Sequence, residues 1–201
     1  MKKSYQEEQT GRYMQKKKPT KVRMVILLLI SIGTMINYLD RTILGIVAPK
    51  ITSELDIDPA MMGVAFSAFA WTYTLAQIPG GMFLDRFGNK LTYALSIMFW
   101  SIFTLLQTFT FGLKSLILLR LGLGLSEAPC FPVNSRVVAK WFPRHERARA
   151  TATYSVGEYI GLAAFSPLLY IILEHHSWRS LFFDHRRGRY YFHVYLVAFL
   201  S

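Results

Sequence analysis

Five long runs of apolar residues constrain this chain more than any other feature. They cover residues 24–48, 61–84, 91–113, 115–139 and 150–173. A helix rises about 1.5 Å per residue, so each run is long enough to cross a hydrocarbon core of roughly 30 Å. Transmembrane β-strands are about ten residues long and alternate in polarity. These runs are longer and do not alternate. The expected fold class is therefore all-α integral membrane. The low charge content agrees: 17% of residues are charged, against about 25% in a typical soluble domain.

The net charge of +11 raises the question of nucleic acid. The placement of the basic residues answers it. Lys2, Lys3, Arg12, Lys16, Lys17, Lys18, Lys21 and Arg23 precede or open the first run. Arg86 and Lys90 separate the second and third, and Lys140, Arg144, Arg147 and Arg149 separate the fourth and fifth. The alternate connections carry Lys50 with Glu54, Asp56 and Asp58, and then Lys114 alone. The positive-inside rule reads this as membrane topology with a cytoplasmic N-terminus, so the expected partner is a lipid bilayer and not nucleic acid. Residues 1–23 read as a basic cytoplasmic tail whose three lysines meet anionic lipid, without the features of a cleavable signal. Cys130 is the only cysteine, so no internal disulfide is expected.

Residues 178–183 begin like a sixth helix, but Asp184, His185, Arg186, Arg187 and Arg189 follow where apolar residues are needed. Each such charge at depth costs about 2.5–3.5 kcal/mol. Residues 184–201 are thus an aberrant tail. Read one base later, with third bases chosen freely, the tail becomes an apolar helix. A frameshift is the expected cause, and a truncation of other origin is the alternative.

The connection after the second run reads Gly80-Gly81-Met82-Phe83-Leu84-Asp85-Arg86-Phe87-Gly88-Asn89-Lys90. Its glycines permit a tight turn at a membrane face. Here the chain resembles the major facilitator superfamily: Gly81, Asp85, Arg86, Gly88 and Lys90 match the family's signature between its second and third helices. The resemblance implies a conformational latch. Further stretches narrow it: Asn37-Tyr38-Leu39-Asp40-Arg41, Phe66 to Tyr73, Gln77-Ile78-Pro79, Glu127-Ala128-Pro129-Cys130-Phe131-Pro132, Asn134-Ser135-Arg136 and Trp141-Phe142-Pro143. Together they look like the anion:cation symporter branch, and within it the bacterial sugar-acid transporters of the galactonate and glucarate type. The resemblance implies that residues 24–183 form the N-terminal half-bundle of a twelve-helix fold. Five spans would be complete and the sixth disrupted, with the C-terminal half missing.

Charged residues inside apolar spans are costly and point to function by default. Asp40 and Arg41 are such residues. Arg120 and Glu127 lie seven apart, on one helical face, and can look into one cavity. Desolvation raises a buried carboxylate's pKa and a neighbouring guanidinium lowers it, a balance that suits loading and release of a proton. The resemblance implies Asp40 and Glu127 as proton-coupling carboxylates, Arg120 as the partner of Glu127, and Arg41 as the contact to a substrate carboxylate. Tyr38 and Tyr73 are expected to line the cavity and offer hydroxyls. Glu158 departs from the glutamine of similar galactonate transporters, where that residue contacts the sugar acid. The expected function is proton-coupled symport of a small organic anion, a hexonate or hexarate, in a bacterial inner membrane. The alternative is an inactive fragment, or a half that needs a separate second half.

Other classes find little support. No Walker sequence suggests an ATP-driven pump, and no nucleophile–base arrangement suggests an enzyme. A membrane enzyme or receptor would need a catalytic loop or a soluble domain. His175 and His176, beside Glu174, read as a solvated loop and not a metal site. Gly122 and Gly124 read as points of close helix approach, not a nucleotide loop. No cofactor is expected beyond the proton as coupling ion.

Overall fold

The structure, a computed structural model, describes residues 21–175 and 177–182. The aberrant tail of residues 184–201 and most of the N-terminal tail lie outside the described residues. The described elements are helical: α1 (Lys21–Glu54), α2 (Pro59–Leu106), a short 3-10 turn (Gln107–Phe109), α3 (Leu113–Glu127), α4 (Cys130–Trp141), α5 (Arg144–Ala163) and α6 (Phe165–His175). Asp58 starts α2: its carboxylate accepts the Ala60 N–H at 2.7 Å, and Pro59 fits the first turn, where its missing N–H costs nothing.

α2 has 48 residues, which as one straight rod would measure about 72 Å, over twice a membrane core. It is broken at Gly88, where φ is 76° and ψ 172°. Only glycine adopts that φ without strain. The two arms then run back along the same neighbour. The Phe103 ring touches Gly122 on α3, while Phe69, Thr72 and Tyr73 of the other arm surround Gly124. The second and third apolar runs are therefore two passes joined at Gly88. Gly80 and Gly81 behave differently from the sequence expectation. Both stay inside the helix, and the turn depends on Gly88 alone.

The fourth and fifth passes are each built from two helices. Pro129 separates α3 from α4, and Pro167 follows the break between α5 and α6. A proline ring collides with the carbonyl four residues earlier, which explains both interruptions. Among the described residues the passes number five, the helical stretch broken at Gly88 counting as two, as read from the sequence.

Two apolar clusters hold the bundle. One gathers Ile26, Ile30, Leu84, Ile97, Trp100, Val133, Val137 and Tyr154 at the end where α1 begins. The other gathers Ile43, Leu44, Val47, Ile51, Met62, Leu116 and Leu173 at the opposite end. Between them lies a polar layer. α1 reaches it with Asn37 and Asp40, α3 with Arg120 and Glu127, and all four are buried.

α5 presses onto α1 through Gly157 and Gly161, four residues apart and on one face. A Cβ at either position would stand 2.6 Å from the α1 carbonyl of Ser31 or Met35. Small residues at this spacing let two backbones touch in a membrane. Gly157→Val should therefore destabilise the purified chain by about 1–3 kcal/mol, the usual penalty of overpacking. Gly45→Ala, in open space, should leave the Tm in detergent unchanged. An unaltered Tm for Gly157→Val would disprove the close α1–α5 contact.

Candidate functional site

Tyr38, Tyr73, Glu127 and Glu158 each fall within about two residues of the midpoint of their own pass. They come from four different passes, yet they meet at one level. The connecting element is Arg41, one turn along α1 from Tyr38. Its Nε and Nη2 donate to Glu127 Oε2 at 3.1 and 3.0 Å. The Glu127 side chain is fully buried, whereas that of Arg41 keeps 20% of its surface open. The guanidinium carbon also stands 4.9, 4.9 and 4.5 Å from the ring centres of Tyr38, Phe69 and Tyr73. Such ring faces are electron-rich and attract a cation strongly where water is scarce.

The aromatic cage follows from local spacing. Phe69 and Tyr73 are one turn apart on α2 and stack with centroids 5.7 Å apart. Tyr38 lies near Glu158, which the Gly157 contact brings up against α1. Asp40 is buried on the neighbouring face of α1 and close enough to Glu127 for their charges to interact.

Arg120 differs from its sequence expectation. Glu127 is bridged by Arg41 and not by Arg120. Arg120 is buried, its guanidinium lies 4.7 Å from the Phe69 centroid and 5.9 Å from that of Phe66, and its Nε and Nη1 have no hydrogen-bond partner. Phe69 thus sits against both guanidinium groups. Sequence reasoning passed over it; the available signal was an aromatic one turn from Tyr73 within a charged layer.

A second polar path runs beside this centre. Asn134 Nδ2 donates to Thr34 Oγ1 at 3.3 Å. This ties the first and fourth passes together.

The proposed latch residues lie at the far end of α2's first arm. Asp85 pairs with Arg136 of α4 at 2.9 Å, and the same Arg136 Nη1 donates to the Leu84 carbonyl at 3.2 Å. Arg86 lies over the Phe87 ring. Arg136, quoted above only within a family stretch, is thus the partner of Asp85.

A family model described as Major Facilitator Superfamily matches residues 30–184. The D-galactonate transporter of Escherichia coli O6:H1 (strain CFT073) is 50% identical over 165 residues, covering 82% of this chain and 38% of that relative. The probable galactarate/D-glucarate transporter GarP of Escherichia coli (strain K12) is 46% identical over 174 residues, covering 84% and 39%. The chain thus spans about two fifths of the length of these relatives. Among solved structures, a bacterial homolog to the human lysosomal transporter Spinster, inward-facing and unoccupied, superposes with a TM-score of 0.76 at 24% identity. It covers 90% of this chain and 43% of that one, and shows the same fold.

Removing one partner of a buried ion pair strands the other, at a cost of about 3–5 kcal/mol. Arg41→Ala should therefore destabilise the chain by that amount in denaturant titrations. Arg136→Ala, whose pair with Asp85 is largely exposed, should cost under about 1 kcal/mol. Equal losses would mean that burial does not set the strength of the Arg41–Glu127 pair.

Proposed function

Because the chain belongs to the Major Facilitator Superfamily, we propose that it forms the N-terminal half of a secondary transporter that carries a sugar acid together with a proton. The observation that supports this most is the Arg41–Glu127 pair, held at the middle of the bundle with one member sealed and the other partly open. A guanidinium fork binds a carboxylate through parallel hydrogen bonds. While Glu127 is ionised, it occupies that fork. A proton on Glu127 weakens the pair and frees Arg41 for the carboxylate of a substrate. Anion binding and protonation then favour one another, which is what symport requires.

The other residues take roles around this exchange. Asp40 is the second proton-coupling carboxyl, and Arg120, behind Phe69, is a second cation of the same layer. Tyr38, Tyr73 and Glu158 face the hydroxyls of a polyhydroxylated acid. Gly81, Asp85, Arg86, Gly88 and Lys90 form the latch, anchored to the fourth pass by Arg136. The names of the relatives, transporters of D-galactonate and of galactarate/D-glucarate, support hexonates and hexarates as the substrate class. The basic connections support a cytoplasmic N-terminus, and the bacterial relatives support an inner membrane.

In this fold the site sits between two halves that rock around it. The share of the relatives that the chain covers favours a second reading, in which it is inactive alone or works with a separately made second half.

Uptake of labelled galactonate and glucarate tests both readings. Cells without their own carrier would express the chain alone or with the C-terminal portion of the D-galactonate transporter. Proton-driven accumulation is expected with the second portion present, and its loss to background in Asp40→Asn and Glu127→Gln. Accumulation that persists in both variants under a pH gradient would remove the coupling roles. A pH dependence unchanged in Glu158→Gln, with transport intact, would remove Glu158 from the site.

A further inference from the structure

Thr92 is buried, and its hydroxyl has no hydrogen-bond partner among the described residues. The cause is local. Thr34, Thr42, Thr52, Thr72, Thr104 and Thr153 each donate to the carbonyl four residues earlier. For Thr92 that residue is Gly88, whose backbone leaves the helix. The turn that reverses α2 therefore removes the acceptor that the helix normally supplies. A hydroxyl in apolar surroundings is costly unless something else accepts its proton.

Thr92 lines a groove of about 370 Å³ between α3 and the two arms of α2, with Phe83, Ser96, Phe99, Phe103 and Leu125. The volume lies in the range of small-molecule sites. The lining is almost wholly apolar, and Phe99 and Leu125 are exposed at its rim. Ser126, another hydroxyl of the groove, is satisfied, since it donates to the Leu123 carbonyl at 2.9 Å. One end of the groove is basic. The Phe83 ring packs on Phe87 with centroids 4.3 Å apart, the Arg86 guanidinium lies 5.5 Å from the Phe87 ring, and Lys90 is two residues before Thr92.

We propose that this groove holds one anionic glycerophospholipid. An acyl chain fills the apolar trough, an ester carbonyl accepts the Thr92 hydroxyl, and the phosphate lies against Arg86 and Lys90. The three features fit in that order: an apolar tail, a hydrogen-bond acceptor at its head, and a negative charge beyond it. Polybasic segments beside a bilayer favour anionic headgroups on the same electrostatic ground.

Native mass spectrometry of the 201-residue chain, released from nanodiscs of phosphatidylglycerol and phosphatidylethanolamine in equal parts, tests this. One retained phosphatidylglycerol is expected. Thr92→Val should lower its retention by roughly two- to tenfold, the effect of one net hydrogen bond, and Thr92→Ser should preserve it. Arg86→Gln should shift the retained lipid toward phosphatidylethanolamine. Leu125→Trp, a change at the exposed rim, should close the groove and expel the lipid, which keeps the test valid should Thr92→Val fold poorly. Retention that ignores headgroup, or that survives both Thr92→Val and Leu125→Trp, marks ordinary surrounding lipid and overturns the assignment.

Discussion

The Arg41–Glu127 pair governs how the rest of the chain must be arranged. Taking either charge out of water costs several kcal/mol, and only close pairing in good geometry offsets it. Both nitrogens of the Arg41 edge converge on one carboxylate oxygen, and three aromatic rings surround the guanidinium. That geometry requires α1, α3 and the first arm of α2 to meet at one height. Gly124 allows it on one side, because α2 comes so close there that a larger residue would collide with Phe69 and Thr72. Gly157 and Gly161 allow it on the other, by laying α5 directly on the α1 backbone. The two apolar clusters then seal the layer from both ends.

Ion pairs also pin the ends of the passes. Arg23 of α1 bridges Glu146 of α5 at 3.0 Å and lies over the Phe142 ring. Arg147 donates to the carbonyls of Phe142 and Ala139, where α4 ends and its last acceptors lack helical partners. At the opposite end, Glu54 holds Trp178 and Arg179. Helices are thus fastened at both ends and packed on glycines in the middle.

Much of this was legible in the sequence, for reasons that particular residues make clear. Apolar runs of membrane length survive any detail of packing, so five passes could be counted directly. A turn within residues 80–90 was legible because a reversal at a membrane face needs a residue free to adopt positive φ, but that Gly88 alone makes it was not. Pairing was less legible. The seven-residue spacing of Arg120 and Glu127 places them on one face, but it says nothing of what another helix brings to that face. Arg41 reaches Glu127 from 86 positions away, and helix rotation, which spacing within one helix does not encode, decides that contact. The same holds for Arg136 and Asp85. Gly122 and Gly124 were read as points of close helix approach, as found, whereas Gly157 and Gly161 were passed over.

That sequence distance has a consequence for biosynthesis. Arg41 enters the bilayer on the first pass, while Glu127 is still to be made. At about 5–20 residues per second, 86 residues take roughly 4–17 s to synthesise. Throughout that interval the nascent first helix carries Asp40 and Arg41 without their eventual neighbour. It has to enter the lipid on the strength of its remaining side chains. Its apolar window is the richest of the four long helical stretches, with a mean hydropathy of 1.9 against 1.3 to 1.7 for the others. Surplus greasiness early in the chain is thus the counterweight that lets a charged centre be assembled late.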